Sequence, residues 1–188
     1  MLKLKCTFVE QSSGKMTEVL LGIFISIITG VISSYLFLMY FLKRKRVKIE
    51  ISPHISKVTF EGQTNYFFKF INKTNLEIFD IRIEPTFYKQ VGGVGGMNIQ
   101  GKDIELKDNF ISYIPCRKKS DKNSLHAMRV RTTEDIEATW VDSSSYIRLT
   151  VIAKHSLSGF TNIFVQDFHS KDSITSRKFK SGDDLGVV

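Results

Sequence analysis

Two patterns divide this chain. Residues 19–42 (VLLGIFISIITGVISSYLFLMYFL) run for 24 positions without a charge. As a helix rising about 1.5 Å per residue they span roughly 36 Å, enough for a bilayer core with some tilt. A cleaved secretory signal would carry a shorter apolar run and a small-residue cleavage pattern, whereas here four consecutive cations follow. The pattern predicts one transmembrane α-helix. Beyond it the period changes to two. Val47, Ile49 and Ile51 alternate with polar residues, Tyr66, Phe68 and Phe70 oppose Phe67, Lys69 and Ile71, and Phe79, Ile81 and Ile83 alternate with Asp80, Arg82 and Glu84. Further strands are expected at 103–106, 110–114, 127–131, 146–155 and 160–168, and a short helix or turn at 133–140. Turn signals at 72–75, 91–96 (VGGVGG), 121–124, 142–145 and 156–159 separate them. Pro53, Pro85 and Pro115 read as strand ends, where a missing ladder donor matters least. The expected fold is all-β, an antiparallel β-sandwich of roughly seven to nine short strands preceded by a single transmembrane α-helix. Its boundaries read as an N-terminal tail 1–18, a membrane helix 19–42, a basic juxtamembrane segment 43–48, a β-sandwich 49–181 and a C-terminal tail 182–188.

Charge sharpens the picture. A formal net charge of +8 would suggest nucleic acid or a membrane surface as partner. Yet the segment 43–48 (KRKRVK) alone holds five cations, and residues 49–188 hold 19 basic against 17 acidic side chains. That near-neutral domain, with its aromatics at alternating core-like positions, disfavours nucleic acid. Lys43, Arg44, Lys45, Arg46 and Lys48 instead follow the positive-inside rule. They orient the chain in the cell inner (plasma) membrane with its N-terminus outside and its C-terminal domain cytoplasmic. Tyr35, Phe37, Tyr40 and Phe41 crowd the same helix end, where rings prefer the headgroup level. Each cation would also gain about 1 kcal/mol near an anionic leaflet, so the five are candidate lipid-headgroup contacts, although topology alone would account for them. Cys6 and Cys116 fall on opposite sides of that membrane and cannot pair.

Within the helix, Gly22, Ser26, Gly30 and Ser34 recur every four residues and share one face. Ile23, Ile27, Val31 and Tyr35 follow them. Small residues let helix backbones approach closely in lipid, and this seam resembles the glycophorin-type dimer helix. Gly and Ser are also common in membrane helices for other reasons, so homo-oligomerisation along the seam is an expectation. The first 15 residues show no clear period, and Met1 and Met16 are both candidate starts.

Three stretches carry a resemblance: 66–88 (YFFKFINKTNLEIFDIRIEPTFY), 102–106 (KDIEL) and 147–179 (IRLTVIAKHSLSGFTNIFVQDFHSKDSITSRKF). Their alternating hydrophobics and turns resemble the immunoglobulin-like cytoplasmic domain of inward-rectifier potassium channels. In that family the domain follows a membrane helix and a basic segment that contacts anionic phosphoinositide headgroups. The resemblance implies that role for Lys43, Arg44, Lys45 and Arg46. It does not extend to conduction, because the chain has one membrane helix and VGGVGG lies in the β domain without the filter's tyrosine. The layout is also similar to small bacterial membrane proteins with one or two helices and a cytosolic β-domain, some of which act as effectors in anti-phage systems.

Catalytic constellations are sparse. There is no HExxH, GxSxG, CxxC or GK[ST]. His54, His126, His155 and His169 lack metal-ligand spacing, although His155 and His169 are expected to be able to meet across the hairpin turning at Ser158 and Gly159. Glu134, Asp135, Glu137 and Asp142 could hold a cation or form a solvated loop. Asn72, Lys73 and Thr74 match a glycosylation sequon that a cytoplasmic domain would not expose to the modifying enzyme. Arg117, Lys118, Lys119 and Lys122 form a basic loop able to receive phosphate from a nucleotide or lipid headgroup, or simply a solvated turn. These features point away from an enzyme and need no cofactor or metal. They describe a membrane-anchored sensor of a partner protein or small signal, in its strongest form a membrane-perturbing anti-phage effector. The alternative is a constitutive anchor or accessory subunit, and a third reading is a nucleotide-sensing receptor.

Overall fold

The computed structural model describes residues 3–44, 46–60, 62–118, 123–140, 142 and 144–188, residues 3–15 by their backbone alone. It forms two units, an N-terminal helix and a β domain Arg46–Val188. The helix, α1, runs Lys3–Arg44. It therefore starts well before the apolar run, across residues whose sequence shows no period. Its stretch Met16–Arg44 is long and apolar enough to cross a membrane and encloses the expected span. Ser26 and Thr29 return their hydroxyls to the carbonyls of Gly22 and Ile25, each at 2.8 Å, so these polar groups are satisfied within the helix. The side chain of Cys6 lies outside the described residues.

The domain contains β1 (Ile49–Ile51), β2 (Ile55–Phe60), β3 (Gln63–Asn72), β4 (Ile78–Gly93), β5 (Gly96–Asp103), β6 (Phe110–Ile114), β7 (Ala127–Thr132), α2 (Ile136–Thr139), β8 (Tyr146–His155), β9 (Thr161–Phe168) and β10 (Ile174–Thr175). Two sheets result. In the first, β3 pairs with β7 on one flank and with β1 and then β2 on the other; Pro53 marks the break between the last two. The two-residue β10 adds to β2 in parallel, a departure from the all-antiparallel expectation. In the second sheet β4 is central, with β8 and β9 on one side and β6, then β5, on the other. Inward residues alternate as their period requires. Tyr66, Phe68 and Phe70 from β3 meet Ile147, Leu149, Val151 and Ala153 from β8 in one core cluster, with Trp140 and Phe168.

Several expectations need correction. Phe79 does not share a face with Ile81 and Ile83, because a bulge between Phe79 and Arg82 resets the register; Ile78 takes the buried place and Asp80 adopts φ 50°. Pro85 lies inside β4, not at its end. Its carbonyl accepts from Ile104 N at 2.9 Å, on the side where β6 hands over to β5, so no donor is missed there. The tract 91–96 does hold a turn between strands, as expected, but a tight one: it is the tip of the β4–β5 hairpin, with residues 91–93 and 96 already paired and Gly95 and Gly96 at positive φ. Beyond the pair Tyr88 and Tyr146 this hairpin continues as a two-stranded ribbon, exposed on both faces, with Val94 at its tip. The strand expected at 103–106 ends at Asp103, whereas the short helix or turn expected at 133–140 is present as α2, with Trp140 at its end.

The largest departure is the C-terminal segment. Lys69 faces away from the core, yet it is 1% exposed. Its ammonium donates to the carbonyls of Lys180 (2.8 Å), Gly182 (2.8 Å) and Asp184 (2.6 Å). Three donors thus meet three acceptors. Residues 178–188 form a hairpin closed by reciprocal Lys178 and Val188 backbone bonds. Ser52 Oγ, Ser56 Oγ and Arg129 pin it further, through the carbonyls of Leu185, Arg177 and Phe179. Residues 182–188, which read as a tail, are part of the domain's packing, and Ile71 and Phe179 are buried beside the main cluster. Lys69→Met should orphan three buried carbonyls at about 1 kcal/mol each and lower unfolding free energy by about 3 kcal/mol, read from Trp140 fluorescence in denaturant. A loss below about 1 kcal/mol would mean that the hairpin closes without the lysine.

Candidate functional site

The end of the domain where the chain enters is built around Asn72, which is fully buried. Its backbone N donates to His126 O (2.9 Å), and its amide nitrogen donates to Pro115 O (2.9 Å) and Leu76 O (3.2 Å). One residue therefore ties the turn after β3 to the end of β6 through its side chain and to the start of β7 through its backbone N–H. Asn72 is consumed by this role and unavailable as a sequon, whatever the topology. Beside it Lys73 N donates to Lys48 O at 2.8 Å, and Lys48 N donates to Thr74 Oγ1 at 2.8 Å. These bonds hold the residues just after the helix against the turn.

This knot brings together cations that are far apart in sequence. Lys73 Nζ lies 3.1 Å from Asp183 Oδ1 and 3.4 Å from Glu50. His126 Nε2 is 3.3 Å from the same Asp183 oxygen, and Arg117 pairs with the other oxygen. His126 is almost fully buried, and Lys73 is 20% exposed, so these donors are built into the fold. Burial alone would raise the Asp183 carboxyl. Hydrogen bonds from Lys73 and His126 and the charges of Lys73 and Arg117 outweigh it and hold the carboxyl below its ordinary 3.8. Burial and the neighbouring Arg129 push the Lys69 ammonium below the usual lysine range.

The candidate residues named from sequence divide accordingly. Lys43 and Arg44 form the last turn of α1, where cations suit the helix dipole, and Arg44 donates to Tyr40 Oη at 2.9 Å. Arg46 and Lys48 are exposed in the lead-in to β1, and Lys118 is exposed beside Arg117. Lys45, Lys119 and Lys122 lie outside the described residues. Arg117 and Lys48 are thus drawn to one end of the domain, through two residues that carried no functional expectation, Lys73 and Asp183. Gly22, Ser26, Gly30 and Ser34 are exposed along α1, and a Cβ added at Gly22 or Gly30 would meet nothing within 4 Å.

Other candidates take structural roles. His155 and His169 do not meet: His155 Nδ1 accepts from Leu157 N and Ser158 N at one end of the β8–β9 hairpin, while His169 follows Phe168 and packs on Tyr146 at the other. The acidic stretch is used piecemeal. Glu134 accepts from Glu105 N, Asp135 caps α2 and accepts from Tyr66 Oη, Glu137 pairs with Lys57, and Asp142 accepts from Ser144 N. Two open grooves of about 390 Å³ flank Glu105 and Leu106, and neither is lined by a His or Cys. On the outer face of the second sheet, Arg148 sits 5.5 Å from the ring centroids of both Tyr88 and Tyr146 and grips Asp167 at 2.7 and 2.9 Å. That pair is a cross-strand contact in the β8–β9 register.

No protein-family model matches this chain, and no curated protein matches it significantly. The geometry therefore carries the functional reading. Because the Asp183 carboxyl is lowered, its contribution is present above pH 3.8 and is lost as pH falls through the lowered value. Thermal stability should hold between about pH 7 and 5 and drop below about pH 4, with a smaller drop in Asp183→Asn. An identical acid limb in that variant would remove Asp183 from this role.

Proposed function

We propose that the chain is a single-pass protein of the cell inner (plasma) membrane, with its N-terminus outside and a non-enzymatic cytoplasmic domain that senses a partner protein or small signal. One observation carries this reading: a bare apolar helix ending at Arg44 leads within a few residues into a β domain whose cations gather where the chain enters. Lys43, Arg44, Lys45, Arg46 and Lys48 are then the lipid-headgroup contacts, and Arg117, Lys118, Lys119 and Lys122 the anion-binding loop.

Strand order supports an immunoglobulin-like domain. Taking β1 and β2 together as strand A, β3 as B, β4 as C, β5 as C′, β7 as E, β8 as F and β9 as G, the pairings run A-B-E in one sheet and C′-C-F-G in the other. The domain departs from antibody-type members in its tryptophan, which lies just after α2 and not on strand C. The helix self-associates along Gly22, Ser26, Gly30 and Ser34. In the strongest form of the reading, ligation of the domain alters helix packing and the protein perturbs the membrane as an anti-phage effector, a form that similarity of layout supports.

Reporter fusions at each end should place the domain in the cytoplasm of membrane-bound protein that resists carbonate extraction. A soluble or externally facing domain would overturn the topology. Separately, Gly22→Leu with Gly30→Leu should lower cross-linked oligomer about tenfold and abolish any depolarisation on overexpression. The added side chains meet nothing within the monomer, so the loss would report on packing between helices. An unchanged oligomer would remove the seam; unaltered permeability with a stable co-purifying protein would favour a constitutive anchor.

A further inference from the structure

The Asp183 carboxylate is arranged as a guest among two cations and a histidine. Its two oxygens take Lys73 from the turn after β3, Arg117 from the segment after β6 and His126 from the start of β7. Three separate parts of the chain thus converge on one anionic group, and the Asn72 knot fixes them whether or not that group is Asp183. Asp183 itself arrives on the C-terminal hairpin, next to Gly182, whose φ of +74° and tight approach to Ser124 Oγ (3.0 Å for an added Cβ) set the loop's path. The donors belong to the domain and the acceptor to the strap laid over it.

We propose that Lys73, Arg117 and His126 form a binding site for a phosphoryl group, with Asp183 its built-in competitor. This rests on the reading that the end of the domain where the chain enters meets anions, and it names the ligand chemistry and its control. A phosphoryl group offers three oxygens and more charge than a carboxylate, and the planar guanidinium of Arg117 can engage two of them at once. Binding displaces Asp183. The carbonyls on either side of it, Gly182 and Asp184, are two of the three that hold Lys69, so displacement loosens the hairpin from the outer face of the first sheet. Occupancy of the site is thereby converted into release of residues 178–188. The phosphoryl group is carried either by a lipid headgroup or by a soluble molecule.

The test uses the full chain in nanodiscs. With phosphatidylcholine alone, pyrophosphate is titrated by calorimetry, and hydrogen exchange of residues 178–188 is followed with and without it. Asp183→Asn should bind pyrophosphate about tenfold more tightly than the parent, and Arg117→Gln should erase both the binding and the gain. Exchange in 178–188 should rise on binding while β8 stays protected. A second series replaces part of the phosphatidylcholine with phosphatidic acid, whose phosphomonoester headgroup keeps three unesterified oxygens, without pyrophosphate. Hairpin opening there identifies a lipid source, and opening only with pyrophosphate identifies a soluble one. If neither series opens the hairpin, or if the Asp183→Asn gain is absent or survives Arg117→Gln, the proposal is overturned. Arg117→Gln in the parent background guards against a variant that only unfolds the hairpin, since it must lower pyrophosphate binding while leaving exchange at β8 unchanged. Failure of both series in a chain still inserted with the proposed topology sinks the competitor alone. A chain that binds pyrophosphate but is not membrane-inserted sinks the membrane reading alone.

Discussion

A lysine ammonium taken out of water must find acceptors for all three of its protons, and Lys69 finds them in the C-terminal hairpin. Its position on the outer face of a central strand means that neither sheet can supply those acceptors. A further layer is required, and the carbonyls at 180, 182 and 184 converge because residues 178–188 fold back on themselves. Once they converge, Asp183 has little freedom, since it lies between two of the three acceptors. Its meeting with Lys73, Arg117 and His126 follows from the same constraint. The packing of the first sheet and the electrostatics of the domain's end are thus one arrangement.

How much of this was legible beforehand depends on whether the cause is local. The strand at 146–155 is read correctly to its ends, because Ile147, Leu149, Val151 and Ala153 alternate without interruption and turn formers bound both sides. The apolar run of α1 needs only its composition. Phe79 is misread because period-two counting cannot register an inserted residue, and the bulge at Asp80 moves one hydrophobic residue to the other face. Pro85 is misread because its tolerance depends on where along β4 the partner strand changes from β6 to β5, a matter of register that alternation does not carry. Residues 182–188 contain nothing periodic, and their order comes from Lys69, more than a hundred residues earlier.

The same distinction governs the site. Runs of cations at 43–48 and 117–122 are visible as runs, whereas Lys73 looks like an ordinary turn lysine and Asp183 like a solvated tail residue. The register of β3 with β7 and the bonds of Asn72 place Lys73, Arg117 and His126, and the Lys69 bonds on either side of Asp183 bring it to them. One hint was present, since Lys69 interrupts the apolar run at 66–71 on a strand buried on both faces, and a charge there needs a partner. His155 and His169 illustrate the reverse error: both flank one hairpin in sequence, but the antiparallel register of β8 and β9 puts them at its opposite ends.

The most direct measurement is amide hydrogen exchange on the full-length protein, comparing residues 178–188 with β3. If the Lys69 carbonyl cage holds the C-terminal hairpin as part of the fold, the amides of Lys178, Lys180 and Val188 should be protected to within about tenfold of those in the middle of β3. Exchange at the rate of a fraying terminus, with β3 still protected, would contradict it.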